Sequence, residues 1–451
     1  MKHFNNIPIV TILLFSYILT LYSIKTHASA LTSEHEIYKG FINPPQEAKP
    51  RVWWHWMDGN ITEEGIYKDL LWMNRIGIGG FHQFDASLYT KPIVKERLVY
   101  MTPKWKKAFR YAIHLADSLN MEVGIASAPG WSSTGGPWVN PKNAMKKLVW
   151  RTFTVEGQKM FSGKLPSPYT TTGEFQNIPI RNMNNYTEYY EDIATIAVRL
   201  PSEELSLNEL DAEITSSGGN FSLHKLTDGD FTNAELLPFN PFDKYGWIEY
   251  SFPKPQTIRA LSFVSGRLRT EWRSESPQTV NFLQCSDNGV DYRMVCGIPD
   301  GGNAQQTISI PETTARYFRV LVPNPTNNAP GTQIPEFVLH PTVKINHTEE
   351  KAGISSPHDL MNYPTPETNT PIDKKNVIIL TNKLDSNGIL KWNVPEGKWR
   401  IYRFGYSLTG KRNHPAPAEA TGLEVDKLDP ESWLSYFRTY MDMYKEAAGG
   451  F

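Results

Sequence analysis

Three short stretches in the first third of the chain combine indole rings with imidazole, amide and carboxylate groups. An indole presents a flat apolar face, whereas the polar groups exchange hydrogen bonds with hydroxyls. A sugar ring, which carries hydroxyls beside apolar faces, suits this combination. A lone Trp is more often a core residue, so the functional interpretation depends on the clustering. The predicted binding residues are Trp54, His55, Trp56, Asn60, His82, Gln83, Asp85, Trp131 and Trp138.

Two acidic residues near the other end of the chain are further candidates. Glu424 and Asp426 lie two positions apart and close to Lys427. We expect them to line the same pocket, and the alternative is a structural ion pair with Lys427. We expect His55, Trp131 and Glu424 to line one cavity.

The elements that would position these residues alternate between strand and helix. Thr62 and the pair Thr102-Pro103 are typical helix starts, because a hydroxyl caps the first backbone N–H groups and proline fits the first turn. Such alternation favours a parallel sheet, either a barrel or a doubly wound sheet. In barrels the functional residues lie at the carboxyl ends of the strands, where the three stretches fall. The predicted elements are a strand at 51–56, a helix at 63–75, a strand at 78–84, a helix from 103 and a strand at 121–126.

The middle of the chain has a different character. From about residue 155 to 405, short alternating strands and Gly, Pro, Asn and Ser turns replace the helical patterns. Residues 406–451 return to an α/β pattern, with Asp429-Pro430 beginning another helix. We therefore interpret 155–405 as an insertion into one α/β domain formed by 31–154 and 406–451, which a domain tolerates when the ends of the insertion lie close together.

Part of this insertion, about residues 210–343, resembles the galactose-binding-like jelly roll of discoidin-type modules. In that fold two antiparallel sheets form a sandwich. Such modules bind sugars in some proteins and act as spacers in others, and the sequence leaves both roles open. The resemblance depends on the order of Leu226 to Asp230, Trp247 to Phe252, Cys285 to Gly289 and Ala315 to Val320.

Composition excludes some classes of function. The chain has 451 residues with 46 Lys+Arg and 47 Asp+Glu, giving a net charge of -1. This balance provides no basic surface for nucleic acid or for an anionic membrane. The chain has only two cysteines, Cys285 and Cys296, too few for a disulfide framework, and their redox state stays open.

The first 30 residues read as a secretory signal peptide. Lys2 precedes an apolar run from Ile7 to Ile24, and Ala28-Ser29-Ala30 is a small-residue cleavage site. The alternative is an N-terminal membrane anchor, for which the run is near the lower length limit. We expect a secreted or periplasmic protein with no membrane insertion after cleavage.

The motifs as a set resemble glycoside hydrolase family 106, the α-L-rhamnosidases. They are the opening Arg51 to Asn60, Gly77-Ile78-Gly79-Gly80, Gly130 to Trp138 and Thr421 to Lys427. The resemblance implies a (β/α)₈ TIM-type barrel, here partial and interrupted by the β-sandwich insertion. It also implies inverting hydrolysis of terminal α-L-rhamnosides from complex glycans, with rhamnose-containing oligo- or polysaccharides as partners and calcium as cofactor.

Inversion requires one carboxylic acid and one carboxylate about 6.5 to 9.5 Å apart. The family's two catalytic glutamates lie on later strands, and nothing before Phe451 matches them, so we expect the catalytic residues beyond Phe451. The resemblance implies that Glu424 and Asp426 are substrate-pocket or calcium-shell residues rather than the acid and base, and the metal ligands stay unassigned. Two alternatives remain at this point, a noncatalytic glycan-binding protein and a glycosidase with another sugar specificity on the same barrel.

Overall fold

The structure is a computed structural model. It describes residues 35–180, 188–239, 241–265, 278–300, 305–325, 329–354 and 363–450. The predicted signal peptide, residues 1–30, lies outside this set. Among the described helices, none has the length and apolar character needed to cross a membrane. The chain divides into two compact units, which we call the α/β unit (Met1–Val139 with Arg412–Phe451) and the β unit (Asn140–Lys411).

The α/β unit contains a three-stranded parallel sheet in the order β1-β2-β3. Its strands are β1 (Arg51–Met57), β2 (Gly80–Ala86) and β3 (Glu122–Ile125), and its helices are α1 (Glu63–Arg75), α2 (Pro103–Ser118) and α3 (Pro430–Ala448). The mixed α/β character predicted from the sequence is confirmed. Within the described residues these three strands form an open sheet.

The helix starts follow the capping chemistry that the sequence predicts. The Thr62 side chain accepts from the Gly65 N–H, and the Thr102 side chain accepts from the Trp105 N–H with proline in the first turn. The Asp429 carboxylate accepts from the Glu431 N–H at the start of α3, again with proline following. Each cap satisfies a backbone donor that an uncapped helix leaves unpaired.

The helices cover one face of the sheet through aromatic and aliphatic side chains. On α2 the buried residues include Trp105, Phe109 and Ala112, spaced three and four positions apart so that they share one side of the helix. The hydroxyls of Tyr436 and Tyr440 on α3 donate to the backbone carbonyls of Ser127 and Ala126, at distances of 2.5 and 2.7 Å. Helix α3 therefore fixes the backbone that leaves β3.

The β unit is built from antiparallel strands. A six-stranded sheet has the order β11-β10-β12-β9-β14 with β7 paired to β9, and the other sheets are β15-β6-β17-β4, β16-β5 and β13-β8. The strands are β4 (Lys146–Glu156), β5 (Lys159–Lys164), β6 (Glu191–Arg199), β7 (Glu213–Ser216), β8 (Glu235–Pro238), β9 (Tyr245–Val264), β10 (Gln278–Ser286), β11 (Arg293–Asp300), β12 (Gln306–Pro323), β13 (Gly331–Ile334), β14 (Glu336–His340), β15 (Val377–Ile379), β16 (Ile389–Val394) and β17 (Lys398–Leu408).

Two large apolar clusters stabilise the β unit, and a third, smaller one packs Phe175 against Phe231. The larger lies among β9, β10, β12 and β14 and includes the fully buried Ile248, Tyr250 and Phe318. The second large cluster includes Trp392 and Trp399, whose rings meet edge to face 5.5 Å apart. Cys285 and Cys296 lie on the neighbouring strands β10 and β11 as free thiols.

Candidate functional site

One face of the parallel sheet carries a cluster of rings from β1 and β2, and we call it the open face. Because side chains alternate along a strand, Trp53 and His55 share this face with their register partners His82 and Phe84. The ring centroid of Phe84 lies 5.1 Å from that of Trp53, 5.3 Å from that of His55 and 5.0 Å from that of His82. Trp53 is 65% exposed, so part of this cluster is accessible to a ligand.

The loop after β3 adds a second exposed indole to the open face. Trp131 is 52% exposed, and its Nε1 donates to Nε2 of His55 at 3.3 Å. An indole nitrogen can only donate, so Nε2 of His55 accepts this hydrogen bond. His55 and Trp131, which are 76 positions apart in the sequence, are therefore in direct contact.

Backbone contacts hold Trp131 in place. The Trp131 N–H donates to the carbonyl of His414 at 3.0 Å, and the Gly130 N–H donates to the carbonyl of Asp85 at 2.7 Å. Gly130 has a φ of 81°, and a Cβ atom there would lie 2.8 Å from the backbone of His414. Only glycine fits this conformation and this close approach.

His82 is held by the end of β3. Its Nε2 donates to the carbonyl of Ile125 at 2.6 Å, so this nitrogen carries the proton. Gly124 lies beneath the ring, and a Cβ atom at that position would be 3.3 Å from it. The structure thus brings three predicted residues, His55, His82 and Trp131, to the open face.

Four other predicted residues lie on the opposite, helix-covered face. Trp56 is fully buried, with its ring 5.6 Å from that of Trp105. Trp54 is also buried, and its Nε1 donates to the Asp69 carboxylate at 3.0 Å. Their contacts are packing and hydrogen bonding against the helices.

Gln83 and Asp85 complete this helix-covered group and are both buried. The Asp85 carboxyl accepts from Trp105 Nε1 at 2.9 Å and from Gln83 Nε2 at 2.6 Å. Burial raises the pKa of Asp85 to about 7, because these two hydrogen bonds only partly offset the loss of water around the charged form. Asp85 is therefore a buried carboxyl group with a pKa near neutral pH.

Asn60 and Trp138 have structural partners of their own. Asn60 Nδ2 donates to Thr90 Oγ1 at 3.3 Å, and its Oδ1 accepts from the Ile93 N–H at 2.9 Å, which orders the loop after β2. The Trp138 ring lies 5.8 Å from that of Tyr440 on α3. Both residues organise the loops around the sheet.

The two acidic candidates lie beside the loop that carries Trp131. Glu424 Oε2 forms an ion pair with Lys427 Nζ and accepts from Thr134 Oγ1 at 3.4 Å. Asp426 Oδ1 accepts from the Leu428 N–H at 3.1 Å. The ion pair with Lys427 that we considered as an alternative is thus present, and Glu424 reaches the loop at Thr134.

Sequence reasoning left out two residues at the strand ends. Phe84 is the central ring of the open-face cluster, and the period-two pattern of β2 places it beside His82. Asp58, buried at the end of β1, accepts hydrogen bonds from Ser87 and from the Thr90 N–H, the latter at 2.8 Å. Burial opposes ionisation, but these hydrogen bonds lower the pKa of Asp58 to about 2. Its carboxylate orders the chain after β2.

Metal coordination was the remaining expectation for this region. Among the residues that the structure describes, no group of three or more His, Cys, Asp or Glu side chains is arranged to hold a metal ion. The acids named above are occupied by hydrogen bonds or by an ion pair. We therefore assign no metal ligands among these residues.

The chain is similar to a known family and to two known proteins. Residues 42–451 match the model of glycoside hydrolase family 106, described as alpha-L-rhamnosidase. A solved rhamnosidase from Novosphingobium sp. PP1Y is 39% identical, with a TM-score of 0.79 over 91% of this chain and 38% of its own. A Formosa agariphila protein provisionally named a beta-glucuronidase is 25% identical over 92% of this chain and 23% of its own length. The chain therefore spans less than half of either protein.

Proposed function

Because the chain belongs to glycoside hydrolase family 106, the alpha-L-rhamnosidases, we propose that it provides sugar recognition for the hydrolysis of terminal α-L-rhamnosides. The polypeptide that carries it would release rhamnose from complex glycans with inversion of configuration. The open face of the α/β unit would hold the sugar.

The observation that carries this proposal is the contact between Trp131 and His55 beside the exposed Trp53. Rhamnose is a 6-deoxy sugar, so its ring offers a methyl group and apolar C–H faces together with hydroxyls. Two accessible indoles suit the apolar parts, and the imidazole edges of His55 and His82 suit the hydroxyls. The helix-covered face offers no comparable surface, since Trp54 and Trp56 are buried.

The proposal extends to architecture. We propose that β1 to β3 form the first part of a (β/α)₈ barrel and that the large sheet of the β unit belongs to a jelly-roll module. The parallel β1-β2-β3 order and the antiparallel sheet of the β unit support this assignment. In a barrel the carboxyl ends of the strands form the active site, which is where His55 and Phe84 lie.

The catalytic acid and base are not assigned to described carboxylates. Asp85 is buried on the helix side, Asp58 orders a loop, and Glu424 is paired with Lys427. We propose that the two carboxylates of the inverting mechanism come from other residues of the whole enzyme. Export through residues 1–30 and a calcium requirement are further parts of the proposal, supported by the sequence pattern and by the family resemblance.

The test is hydrolysis of 4-nitrophenyl α-L-rhamnopyranoside by the full polypeptide that contains this chain. Trp131→Ala should lower kcat/KM about tenfold or more. A tryptophan that the bound sugar covers contributes about 1.4 kcal/mol or more to the binding free energy. Trp72→Ala is the matched control, because Trp72 is 53% exposed on α1, and its kcat/KM should equal that of the wild type.

Three results would contradict the proposal. Equal losses in Trp131→Ala and Trp72→Ala would show that the open face has no special role. Faster hydrolysis of another 4-nitrophenyl glycoside, such as the β-D-glucuronide, would indicate another specificity. Binding of L-rhamnose without turnover would favour a noncatalytic glycan-binding protein.

A further inference from the structure

The β unit contains a cavity of about 550 Å³ that the proposed hydrolysis does not use. Its lining comes from strands β9, β12, β14 and β17, from the segments that follow β6 and β14, and from residues 368–372. This volume lies within the range of small-molecule sites, roughly 300 to 1,000 Å³. A neighbouring cavity of about 560 Å³ shares Leu200, Pro201 and the residues Thr370 to Ile372, so the two together could hold more than one sugar unit.

The charges that line the first cavity, of about 550 Å³, are unequal. Glu204 is the carboxylate in its lining, and it is paired with Lys344 Nζ at 2.7 Å and with Arg400 Nη1 at 3.3 Å. Burial opposes ionisation of Glu204, but Lys344, Thr342 and Arg400 lower its pKa to about 2, so it is charged. Two cations therefore face one anion.

The imidazole in the lining does not change this balance. Burial and the nearby Lys344 lower the pKa of His340 to about 3, so its ring is neutral at physiological pH. Its Nε2 lies 3.0 Å from Ser262 Oγ, and Ser262 Oγ lies 3.0 Å from Thr307 Oγ1. The lining thus carries one uncompensated positive charge beside a chain of hydroxyls.

Arg400 has capacity left for a ligand. Within the described residues it makes one hydrogen bond, from Nη1 to Glu204, although a guanidinium has five N–H donors. Its side chain is 29% exposed. A planar guanidinium with free donors suits a carboxylate, which it can hold through two parallel hydrogen bonds.

An aromatic ring lies next to this cation. Tyr402, two residues after Arg400 on the same face of β17, lines the cavity and stacks on Phe404 with centroids 5.8 Å apart. Ile345 and Ile372 add apolar surface, at 56% and 51% exposure. An aromatic face beside hydroxyls suits a sugar ring, and the excess cation selects a ring that carries a carboxylate.

We propose that this cavity binds a uronic-acid unit of a glycan, with Arg400 and Lys344 facing the carboxylate and Tyr402 facing the sugar ring. The site lies within the β unit and requires no catalysis, so it goes beyond rhamnoside hydrolysis. It would attach the enzyme to acidic polysaccharide chains.

The test is calorimetric titration of the full chain with tri-galacturonic acid. The acid should bind, and its methyl ester, which keeps the shape but loses the charge, should bind at least tenfold more weakly. Arg400→Gln and Tyr402→Ala should each raise the Kd about tenfold or more. Tyr402→Ala leaves every charge in place, so its loss of binding would not reflect an unpaired Glu204.

Arg293→Gln is the matched control, because Arg293 is another arginine of the β unit paired with a carboxylate, that of Asp287 at 3.0 Å. This variant should bind like the wild type, and thermal melting of each variant should confirm folding. Equal binding of the ester, wild-type affinity in both cavity variants, or no binding of the acid would overturn the proposal. Inorganic phosphate with the same affinity as the acid would indicate a simple anion site and would overturn it as well. Rhamnoside hydrolysis can fail or succeed independently of these results.

Discussion

The two faces of the parallel sheet use the same residue types for different purposes. In β1 the run Trp53 to Trp56 contains three indoles and one imidazole. Trp56 is fully buried against α2, whereas Trp53 is 65% exposed on the open face. Because side chains alternate along a strand, one short motif supplies both the core and the candidate site. Composition alone therefore cannot tell which indole binds a ligand.

The polar residues of β2 divide in the same way. His82 lies on the open face, bonded to the end of β3, while Gln83 and Asp85 are buried beneath Trp105. Polar groups on the covered face must form their hydrogen bonds inside the protein. Polar groups on the open face can also form hydrogen bonds with the hydroxyls of a ligand. The difference predicts that substitutions on the two faces will have separable effects.

The largest expected effect is on stability, at Trp56. Trp56→Ala removes a fully buried ring and should lower the free energy of unfolding by roughly 3 to 5 kcal/mol. Trp53→Ala, three positions earlier on the open face, should cost less than about 1 kcal/mol. Denaturant titration of both variants measures the two values. Equal losses would show that the faces do not differ as described.

The next largest effect is a dependence of the protein's stability on pH, caused by Asp85. Its pKa is raised by burial from 3.8 to about 7, so the folded state keeps a proton that the unfolded state loses. The contribution of Asp85 to stability should therefore be fully present below about pH 4, fall as the pH rises from about 4 to about 7, and then stay level. We expect the contribution to reach roughly 2 to 4 kcal/mol.

Asp85→Asn isolates this contribution. The amide cannot ionise, and its Nδ2 can donate to Gln83 Oε1, a buried atom that lacks a hydrogen-bond partner in the described structure, once the Gln83 amide is turned. The difference in unfolding free energy between Asp85→Asn and the wild type should favour the variant increasingly from pH 4 to about pH 7 and then stay level. A difference that is constant with pH would show that Asp85 is ionised in the folded protein.

Much of the fold could be predicted from the sequence. Thr62, Thr102 and Asp429 identify the helix starts, because capping is a local interaction within a few residues. The motif resemblance identified the family, and the match to residues 42–451 confirms it. The division into separate domains and the export of the chain stay predictions.

The site was harder to predict, because it depends on contacts that are distant in sequence. The packing of α2 decides which face of β1 is covered. Because the sequence does not show where α2 packs, Trp53, Trp54 and Trp56 look equivalent in the sequence alone. The contact of Trp131 with His55 depends on the loop held by His414, 283 residues further along. The raised pKa of Asp85 likewise follows from burial rather than from any neighbour in the chain.

The most direct test of the open-face account is a titration of the ¹⁵N-labelled chain with L-rhamnose, observing the tryptophan indole N–H signals. Each signal can be assigned from the corresponding Trp→Phe variant. The account predicts small but saturable shifts for Trp53 and Trp131, with Trp54, Trp56 and the exposed control Trp72 unchanged. Shifts at Trp72 as large as those at Trp131, or no saturable shift at Trp53 and Trp131, would contradict the claim that the open face is the sugar-binding surface.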